Sequence, residues 1–314
     1  MVQEDCLTVA ILQKSSKKLV IICGPTASGK TSLAIRVAEK LNTEIISADS
    51  MNVYKGLNVG TAKPTKEERE KIIHHLLDVV SPSDSFSVGD YKEIATPILD
   101  KILKDNKNPV ICGGTGFYIN SLIYDFSYGN VKGDLAVREK YFNMAKTVGE
   151  KAVYAVLKEK DPKSAEILHP NDLKRVIRAL EICENGIKKS ELNDKLTPIY
   201  NYSAYALDFE REELYNRIEK RVDAMINSGL VEEVKGLIDN GITRENQCMQ
   251  GIGYKEIYSY FAGEISLKDA IDKIKLNTKH YAKRQITFFK RLNGIVWLKP
   301  QEEEFLAKRI IEDL

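Results

Sequence analysis

The sequence has no apolar run that approaches the roughly 20 residues of a membrane-spanning helix. Its cysteines are few and scattered, since no two of the five (Cys6, Cys23, Cys112, Cys183 and Cys248) form a C-x-x-C pair. This spacing argues against a zinc site or a disulfide framework and favours reduced thiols. The opening stretch, MVQEDCLTVAILQ, has acidic side chains before a short apolar patch, unlike the basic start of a signal peptide. We therefore expect a cytoplasmic protein that does not enter a membrane.

Neither sign of charge dominates, because 47 basic residues are balanced by 45 acidic ones and the formal net charge is +2. The basic residues are nevertheless clustered. The segment from Lys273 to Arg291 contains seven Lys or Arg residues and no Asp or Glu. Such a cluster is typical of a nucleic-acid-binding surface or of a solvated helix face, and the charge alone does not decide between them.

Short β-branched runs alternate with amphipathic stretches in the first part of the chain. Residues 17–23, 44–47 and 108–112 are each predicted to form a buried strand that ends in a polar or glycine-rich turn. Residues 32–41 place their apolar side chains on one helical face. Strands that alternate with helices predict an α/β fold with a parallel sheet covered on both sides.

A helical segment interrupts this pattern. From Asp134 to Lys195 the sequence is dense in Lys and Glu and shows no strand-like alternation, whereas Ser203–Leu207 is predicted to be a strand that returns to the sheet. Long helices follow from Arg211. We predict an N-terminal extension at 1–16, an α/β core at 17–128, a helical insertion at 129–200, and a return to the core with C-terminal helices at 201–314.

A glycine-rich phosphate-binding loop follows the first predicted strand. It fits the pattern G-x-x-x-x-G-K-[ST] with Gly24, Pro25, Thr26, Ala27, Ser28, Gly29, Lys30 and Thr31. In such a P-loop the backbone N–H groups and the following helix N-terminus bind phosphate, Lys30 reaches the outer phosphate, and Thr31 offers its hydroxyl to Mg²⁺. The predicted fold class is therefore a P-loop NTPase-like parallel sheet with an inserted all-helical domain.

The P-loop does not identify the phosphate compound. ATPases and GTPases usually carry an Asp after an apolar strand to hold the metal, whereas Val110–Cys112 leads into Gly113-Gly114-Thr115-Gly116. The guanine-binding pattern N-K-x-D is absent from the sequence. These absences argue against a motor or a nucleotide switch.

Two polar side chains follow predicted strands and therefore face the ligand crevice of a doubly wound sheet. Asp49 is placed to act as a base or to hold a metal, although a helix or turn cap is the alternative. Thr115 is placed to hydrogen-bond a phosphate or a bridging oxygen, although the glycines around it could serve backbone geometry alone.

Two further pairs of side chains are candidates for binding anions or metals. His74 and His75 are direct neighbours, and their side chains diverge, which favours buried structural histidines over a shared metal. Arg217 and Arg221 lie four residues apart on one helical face. That pair suits a diphosphate or, alternatively, ion pairs with Glu213 and other acids.

Two basic segments could contact RNA. Lys174 and Arg178 share a helical face in the predicted insertion. Tyr281 to Lys290 mixes cations, an amide and aromatic rings, a combination that binds phosphates and unstacked bases of single-stranded RNA. Phe288 and Phe289 could instead belong to the core.

These motifs, in this order, resemble the tRNA dimethylallyltransferase family, also called the tRNA isopentenyltransferases. The matching stretches are GPTASGKT, ADSMNVYKGLNVGTAKP, HHLLD, GGTGFYINSL, HPNDLKRVIRALEI, REELYNRIEKRV, QGIGYKE and YAKRQITFFKR. They extend from about Lys17 to Pro300. With no C-terminal zinc-finger extension, the chain is similar to the bacterial type.

The resemblance implies the transfer of a dimethylallyl group from dimethylallyl diphosphate to N6 of adenosine 37 in tRNA. It implies Mg²⁺ as cofactor and the tRNA anticodon stem-loop as partner. We also expect a monomeric enzyme. By the matching motifs, Gly24 to Thr31 would hold the diphosphate and Thr31 would meet the metal. Asp49 would be the general base on N6, and Lys30 and Arg221 would stabilise the departing diphosphate.

The resemblance also implies a set of tRNA-contacting residues. Thr115 and Arg138 would each make a single contact. The contacting segments would be Asp49, Ser50, Met51 and Asn52; Lys174, Arg175, Val176, Ile177 and Arg178; Gln250, Gly251, Ile252, Gly253, Tyr254 and Lys255; and Lys283, Arg284, Gln285, Ile286, Thr287, Phe288, Phe289 and Lys290. Asn52, Gly251 and Phe288 depart from the side chains most frequent in the family, which are Gln, Ala or Cys, and Trp respectively.

Other functions remain open on the residues alone. A related enzyme could prenylate free adenosine nucleotides, as an adenylate dimethylallyltransferase does, and a small-molecule P-loop kinase is a more remote alternative. A P-loop RNA-binding NTPase without synthetic chemistry is a different class. The helical insertion and the basic C-terminal segment argue against the nucleotide enzyme, and the missing Asp after Val110–Cys112 argues against the NTPase.

Overall fold

The computed structural model of the protein describes residues 17–125, 133–192 and 197–314. Six strands form one sheet in the order β3-β2-β4-β1-β5-β6, and every neighbouring pair is parallel. The strands are β1 (Leu19–Cys23), β2 (Ile45–Ser47), β3 (His74–His75), β4 (Val110–Gly113), β5 (Tyr202–Leu207) and β6 (Ile295–Leu298). The predicted parallel α/β sheet and its four inner strands are therefore confirmed.

The two edge strands were missed from the sequence for physical reasons. β3 is only two residues long, and both of its histidines are half-buried, so it has no apolar run. β6 buries only its last residue, Leu298, and leaves Val296 exposed, as at the edge of a sheet. β1 lies at the centre, where Cys23 pairs with Gly113 on one side and Ala206 on the other. This register brings the P-loop alongside the glycine-rich turn after β4.

Helices cover the sheet on both faces of the first compact unit, which joins the chain up to Ile123 with Pro198–Leu314. Its helices are α1 (Lys30–Leu41), α2 (Lys66–Lys71), α3 (Val88–Lys104), α4 (Gly116–Ile123), α9 (Arg211–Asn227), α10 (Leu230–Asp239), α11 (Tyr254–Phe261), α12 (Leu267–Phe289) and α13 (Glu303–Glu312). One core packs Val20 and Ile22 of β1 against Leu33 and Val37 of α1 and Ile310 of α13. Within the described residues, no helix is both long and apolar enough to cross a membrane.

The second compact unit, Tyr124–Thr197, is helical in its described part. It contains α5 (Leu135–Val148), α6 (Glu150–Lys160), α7 (Pro162–Ile167) and α8 (Leu173–Glu184), followed by a 3₁₀ turn at Lys189–Glu191. Its own core is built on Tyr141, Val153, Leu157, Val176 and Leu180. The predicted N-terminal extension at 1–16 lies outside the described residues.

Candidate active site

The P-loop adopts the strained backbone that its glycines permit. Gly24 has φ 120° and Gly29 has φ 87°, both in the region that side chains other than glycine rarely adopt. Lys30 folds back so that its Nζ donates to the carbonyl oxygen of Pro25 at 3.2 Å. Burial, reinforced by the like charge of Arg221, lowers the pKa of Lys30 below its usual value. The loop therefore encloses a cation that is poorly solvated and suited to an anion.

Gln285 of α12 joins this loop to the glycine-rich turn after β4. Its Oε1 accepts the N–H of Thr26 and its Nε2 donates to the carbonyl oxygen of Gly114, both at 2.9 Å. A Cβ on Gly114 would lie only 2.1 Å from that Nε2, so a larger residue there would displace the Gln285 amide. Gln285 is 5% exposed. The amide of Gln285 is thus buried and bonded within the protein, and its expected contact with tRNA stays a prediction.

Asp49 follows β2 at the carboxyl edge of the sheet, as predicted. Its Oδ1 accepts the N–H groups of Met51 at 2.9 Å and Asn52 at 3.3 Å, so the capping alternative is also correct. Both hydrogen bonds use the same oxygen, which leaves Oδ2 as the one available for other partners. The side chain lines two neighbouring cavities.

Thr115 holds the turn that carries Asp49. Its Oγ1 accepts the N–H of Ser50 at 3.0 Å, and its own N–H donates to the carbonyl oxygen of Ala48 at 3.0 Å. The two strand ends approach so closely that a Cβ on Gly113 would lie 2.1 Å from the oxygen of Ala48. The structure therefore brings Asp49 and Thr115 together, and it assigns Thr115 a supporting role within the protein.

Two adjoining cavities connect these residues. The inner cavity, about 60 Å³, is lined by Lys30, Thr31, Asn52 and His74 among others. The outer cavity, about 370 Å³, has an apolar wall. That wall comprises Met51, Ile218, Val222, Met225, Ile252 and Ile274. Both cavities share Thr26, Asp49, Thr61, Arg221 and Tyr281. A polar compartment thus opens directly onto an apolar one.

Arg221 of α9 lies at the junction of the cavities. Its Nη2 donates to the carbonyl oxygen of Thr61 at 3.4 Å, while its buried Nε has no hydrogen-bond partner within the described residues. Burial lowers the pKa of Arg221, and the charge of Asp49 opposes that effect. A buried, unsatisfied guanidinium donor next to the P-loop is ready to bind an oxyanion.

Arg217, one turn earlier, has a different role. Its Nε donates to the carbonyl oxygen of Ala27 at 2.9 Å, and its guanidinium stacks over the Phe209 ring at 4.6 Å. Arg217 therefore supports the P-loop from outside and does not line either cavity. The described part of the chain has no ion pair between Glu213 and either arginine, so the expected alternative of such pairs is wrong.

His74 was expected to be a buried structural residue, and the structure shows a more specific position. His75 Nε2 hydrogen-bonds to Glu44 at 2.5 Å, whereas His74 Nδ1 bonds to the carbonyl oxygen of Ile72 at 2.8 Å. His74 lines the inner cavity, and its Nε2 is buried without a partner in the described chain. Burial lowers the pKa of His74. The side chains diverge as predicted, but His74 belongs to the site.

The predicted segment 250–255 forms part of the outer cavity wall. All six of its residues, Gln250, Gly251, Ile252, Gly253, Tyr254 and Lys255, line this cavity. A Cβ on Gly251 would lie 2.4 Å from the terminal carbon of Met51, so the two predicted segments pack directly against each other. Tyr254 is 1% exposed, so it forms part of the cavity wall and not of the outer surface.

The predicted segment 283–290 has two faces. Lys283, Arg284, Thr287 and Lys290 are exposed, and Arg284 also lines the outer cavity. Phe289 is buried, so it belongs to the core alternative raised from the sequence. Phe288 packs edge-on against Phe117 at 5.4 Å between ring centroids, and Phe117 is 61% exposed. Sequence reasoning missed Phe117, although an aromatic residue directly after a glycine-rich turn was a visible signal.

The predicted tRNA-contacting residues of the second unit also divide by burial. Lys174 and Arg175 are exposed, whereas Val176 and Ile177 are buried in the core of that unit. The expected tRNA contact of this segment stays a prediction. Arg138 Nε and Arg178 Nη1 bond to the two oxygens of Glu181 at 2.8 Å and 3.4 Å. Because Glu181 is fully buried, these two arginines also stabilise the fold of this unit by pairing with a buried charge.

Comparisons with known proteins identify the family. A family model described as IPP transferase matches residues 52–292. The tRNA dimethylallyltransferase of Acetivibrio thermocellus is 46% identical over 300 residues, which cover 94% of this chain and 96% of that protein. Its counterpart in Thermoanaerobacter sp. strain X514 is 48% identical over 308 residues, covering 95% and 97%.

Solved structures give the same result. The tRNA isopentenylpyrophosphate transferase of Bacillus halodurans matches with a TM-score of 0.69 at 40% identity, covering 95% of this chain and 98% of that one. A eukaryotic dimethylallyltransferase acting on tRNA matches with a TM-score of 0.79 at 32% identity, covering 91% and 75%. On these matches, which extend over nearly its whole length, the chain belongs to the tRNA dimethylallyltransferase, or IPP transferase, family.

Proposed function

We propose that this protein transfers the dimethylallyl group of dimethylallyl diphosphate to N6 of adenosine 37 in tRNA. The observation that carries the proposal is the arrangement of Asp49 between two connected cavities. Lys30 and Thr31 line the inner one, an apolar wall lines the outer one, and Arg221 lines both. A prenyl diphosphate has a charged end and an apolar end, and this pair of cavities has the same division.

The inner cavity would hold the diphosphate. Lys30 is a half-buried cation, the Nε of Arg221 is a buried donor without a partner in the described chain, and the P-loop contributes backbone N–H groups at the start of α1. These groups are fixed before the substrate arrives, so they stabilise the charge that develops on the leaving diphosphate. Removal of one such preorganised donor typically costs about 3–4 kcal/mol of activation free energy.

Asp49 would remove the proton from the attacking amine. The lone pair of an adenine exocyclic amine is delocalised into the ring, so N6 is a weak nucleophile. As N6 bonds to C1 of the dimethylallyl group, the bond from C1 to the diphosphate oxygen breaks, and the N6 proton passes to the Asp49 carboxylate. Oδ1 is held by the N–H groups of Met51 and Asn52, which leaves Oδ2 to accept that proton. General-base assistance of this kind contributes about 10²–10⁴-fold.

Mg²⁺ would be shared between the protein and the diphosphate. Within the described residues, no three His, Cys, Asp or Glu side chains cluster closely enough to hold a metal. Mg²⁺ typically uses one or two protein ligands together with substrate phosphates, and Thr31, the expected ligand, lines the inner cavity. When bound there, the ion would neutralise charge on the diphosphate.

The tRNA would approach the outer cavity. Arg284 and Lys255 line it and are exposed, the exposed Lys283 lies on the same helix as Arg284, and the exposed Lys290 directly follows that helix. Such cations contact phosphates, while the target base leaves its stack to enter the protein. We further propose that the enzyme acts as a monomer on the anticodon stem-loop, with Lys174 and Arg175 as additional phosphate contacts.

Turnover of labelled dimethylallyl diphosphate tests the proposal. Incubation with tRNA, with free AMP, or with ATP and no prenyl donor separates the three candidate activities. We expect label in tRNA, at the adenosine next to the anticodon, and none in AMP. Label in AMP alone would instead identify a nucleotide prenyltransferase, and ATP hydrolysis without prenyl transfer would identify an RNA-binding NTPase.

A further inference from the structure

Glu233 of α10 binds a loop that lines both cavities. The carboxylate accepts three consecutive backbone N–H groups, from Asn58 and Val59 at Oε2 (2.8 Å each) and from Gly60 at Oε1 (3.1 Å). Its Oε1 also accepts the hydroxyl of Tyr254 at 2.6 Å. A carboxylate offers about four lone-pair sites, and these four hydrogen bonds fill them. Glu233 therefore has no free capacity to bind substrate or to transfer a proton.

The loop itself has no helix or strand to hold its amides. Its carbonyl groups are satisfied from within, since Thr61 Oγ1 donates to the Leu57 carbonyl at 2.7 Å and Lys63 N–H donates to the Asn58 carbonyl at 3.1 Å. The amides of Asn58, Val59 and Gly60 are satisfied by Glu233 instead. Backbone N–H groups that converge in this way form a nest for an anion, and Glu233 supplies that anion.

The loop that Glu233 holds contacts the proposed reaction site in two places. Gly60 packs so closely on Tyr254 that a Cβ on Gly60 would lie 2.7 Å from the ring, and both residues line the outer cavity. Thr61 lines both cavities, and its carbonyl oxygen accepts the Nη2 of Arg221. The position of the loop therefore helps to set the position of the guanidinium.

We infer that Glu233 is a positioning residue for prenyl transfer, which acts by fixing the loop Asn58–Thr61, the Tyr254 ring and, through Thr61, Arg221. The inference rests on the proposed function. Asn58 is exposed and Val59 is half-buried, so the loop has little apolar burial of its own to keep it in place. Without the carboxylate the loop amides would turn to water, and Arg221 would lose its fixed acceptor.

The variant Glu233→Gln tests this role, because it keeps the size of the side chain but replaces one acceptor oxygen with an NH₂ group that faces N–H donors. Glu232→Gln is the matched control, since Glu232 is the exposed neighbour in the same helical turn. We expect Glu233→Gln to lower kcat/KM for dimethylallyl diphosphate by about 10- to 100-fold, the effect of misplacing a site group by up to about 1 Å. The KM for tRNA should stay within about twofold, as should all constants of Glu232→Gln.

Hydrogen exchange gives a readout that does not depend on activity. The amides of Asn58, Val59 and Gly60 should exchange faster in Glu233→Gln, while those of the sheet strands keep their wild-type rates. If Glu233→Gln does not fold, Glu233→Asp is tested instead. It retains the negative charge but shortens the side chain by one methylene, so we expect a smaller decrease in kcat/KM.

The outcomes separate this inference from the proposed function. A wild-type protein that does not prenylate tRNA overturns the proposed function. If the wild-type protein prenylates tRNA but Glu233→Gln has the same kcat/KM and amide exchange as Glu232→Gln, only the positioning role is overturned. An equal loss for tRNA and dimethylallyl diphosphate with faster exchange in every strand also overturns it, because Glu233 would then support only the fold.

Discussion

Gln285 donates a hydrogen bond from its Nε2 to the carbonyl oxygen of Gly114 at 2.9 Å, inside the core. The other end of the same amide accepts the N–H of Thr26. One side chain from the long helix α12 thus joins the phosphate-binding loop to the turn that carries Thr115. Donors of the P-loop are effective only if they are held before the substrate binds, and Gln285 provides part of that rigidity.

Substitution of Gln285 by Ala should destabilise the protein and slow the reaction without a direct effect on RNA affinity. Two buried backbone groups would lose their partner, and each unsatisfied group costs about 1–3 kcal/mol. Thermal unfolding and steady-state kinetics measure the effect, and Asp272→Ala, an exposed position on α12, is the control. A stable Gln285→Ala variant with weakened tRNA binding would instead support the original expectation of an RNA contact.

Asp49→Asn should abolish most of the turnover. The amide oxygen can still accept the N–H groups of Met51 and Asn52, so the turn should persist, but the side chain can no longer take a proton. We expect kcat to fall by about 10²–10⁴-fold. Affinity for tRNA should stay within a few-fold. Rapid-quench measurement at saturating substrates provides the rate, and Asp239→Asn, at an exposed position on α10, is the control. A near-normal rate in Asp49→Asn would show that Asp49 takes no part in the chemistry.

Lys30→Met should stabilise the ligand-free protein while it removes diphosphate binding. The pKa of Lys30 is lower in the folded chain than in the unfolded one, so the buried charge destabilises the fold below that lowered pKa. Stability should therefore rise with pH between the folded and the usual pKa of Lys30, and Lys30→Met should lose this dependence. Each 1 kcal/mol of relief raises Tm by about 2–4 °C in a protein of this size class.

Calorimetry with dimethylallyl diphosphate completes the test of Lys30. We expect no measurable binding to Lys30→Met, together with tRNA affinity close to that of the wild type. If affinity for tRNA falls in parallel with affinity for the diphosphate, the P-loop contacts RNA and the assignment of the inner cavity is wrong.

Much of the core was predictable because its signals are local. A buried run such as Leu19–Cys23, followed by a P-loop and an amphipathic helix, leaves few alternatives for the centre of a parallel sheet. Asp49 was placed beside the cavities for the same reason, since it follows a strand directly, and Thr115 follows the neighbouring strand and bonds to the turn that carries Asp49. The edge strands β3 and β6 lack such a signal, and the sequence did not predict them.

The roles of several site residues depend on long-range contacts that no local pattern encodes. Gln285 is 259 residues from Thr26, and Glu233 is 174 residues from Val59. Arg217 and Arg221 looked equivalent by spacing, yet only Arg221 reaches the cavities. His74 was assigned to the fold because adjacent histidines diverge, but divergence alone did not reveal which ring would face the inner cavity.

The last prediction concerns the exposed cations Arg175 and Arg284, one in each compact unit. If each side chain neutralises an RNA phosphate, binding releases the counterions of that phosphate. The Ala variant no longer releases them, so the magnitude of the slope of log affinity against log salt should decrease by about 0.7–0.9 per substitution. The double variant should show the sum of the two changes. Lys308→Ala, an exposed lysine on the C-terminal helix α13, is the control and should leave the slope unchanged.

Binding of dimethylallyl diphosphate separates this effect from damage to the site. Calorimetry should give wild-type affinity for the Arg175 variant, which lies in the second unit, and close to it for the Arg284 variant, whose side chain lines the outer rather than the inner cavity. A solvated helix face makes the opposite prediction, because an exposed charge far from RNA releases no counterions when it is removed. An unchanged salt slope in the double variant would therefore show that the basic cluster seen in the sequence is only a solvated surface at these two positions.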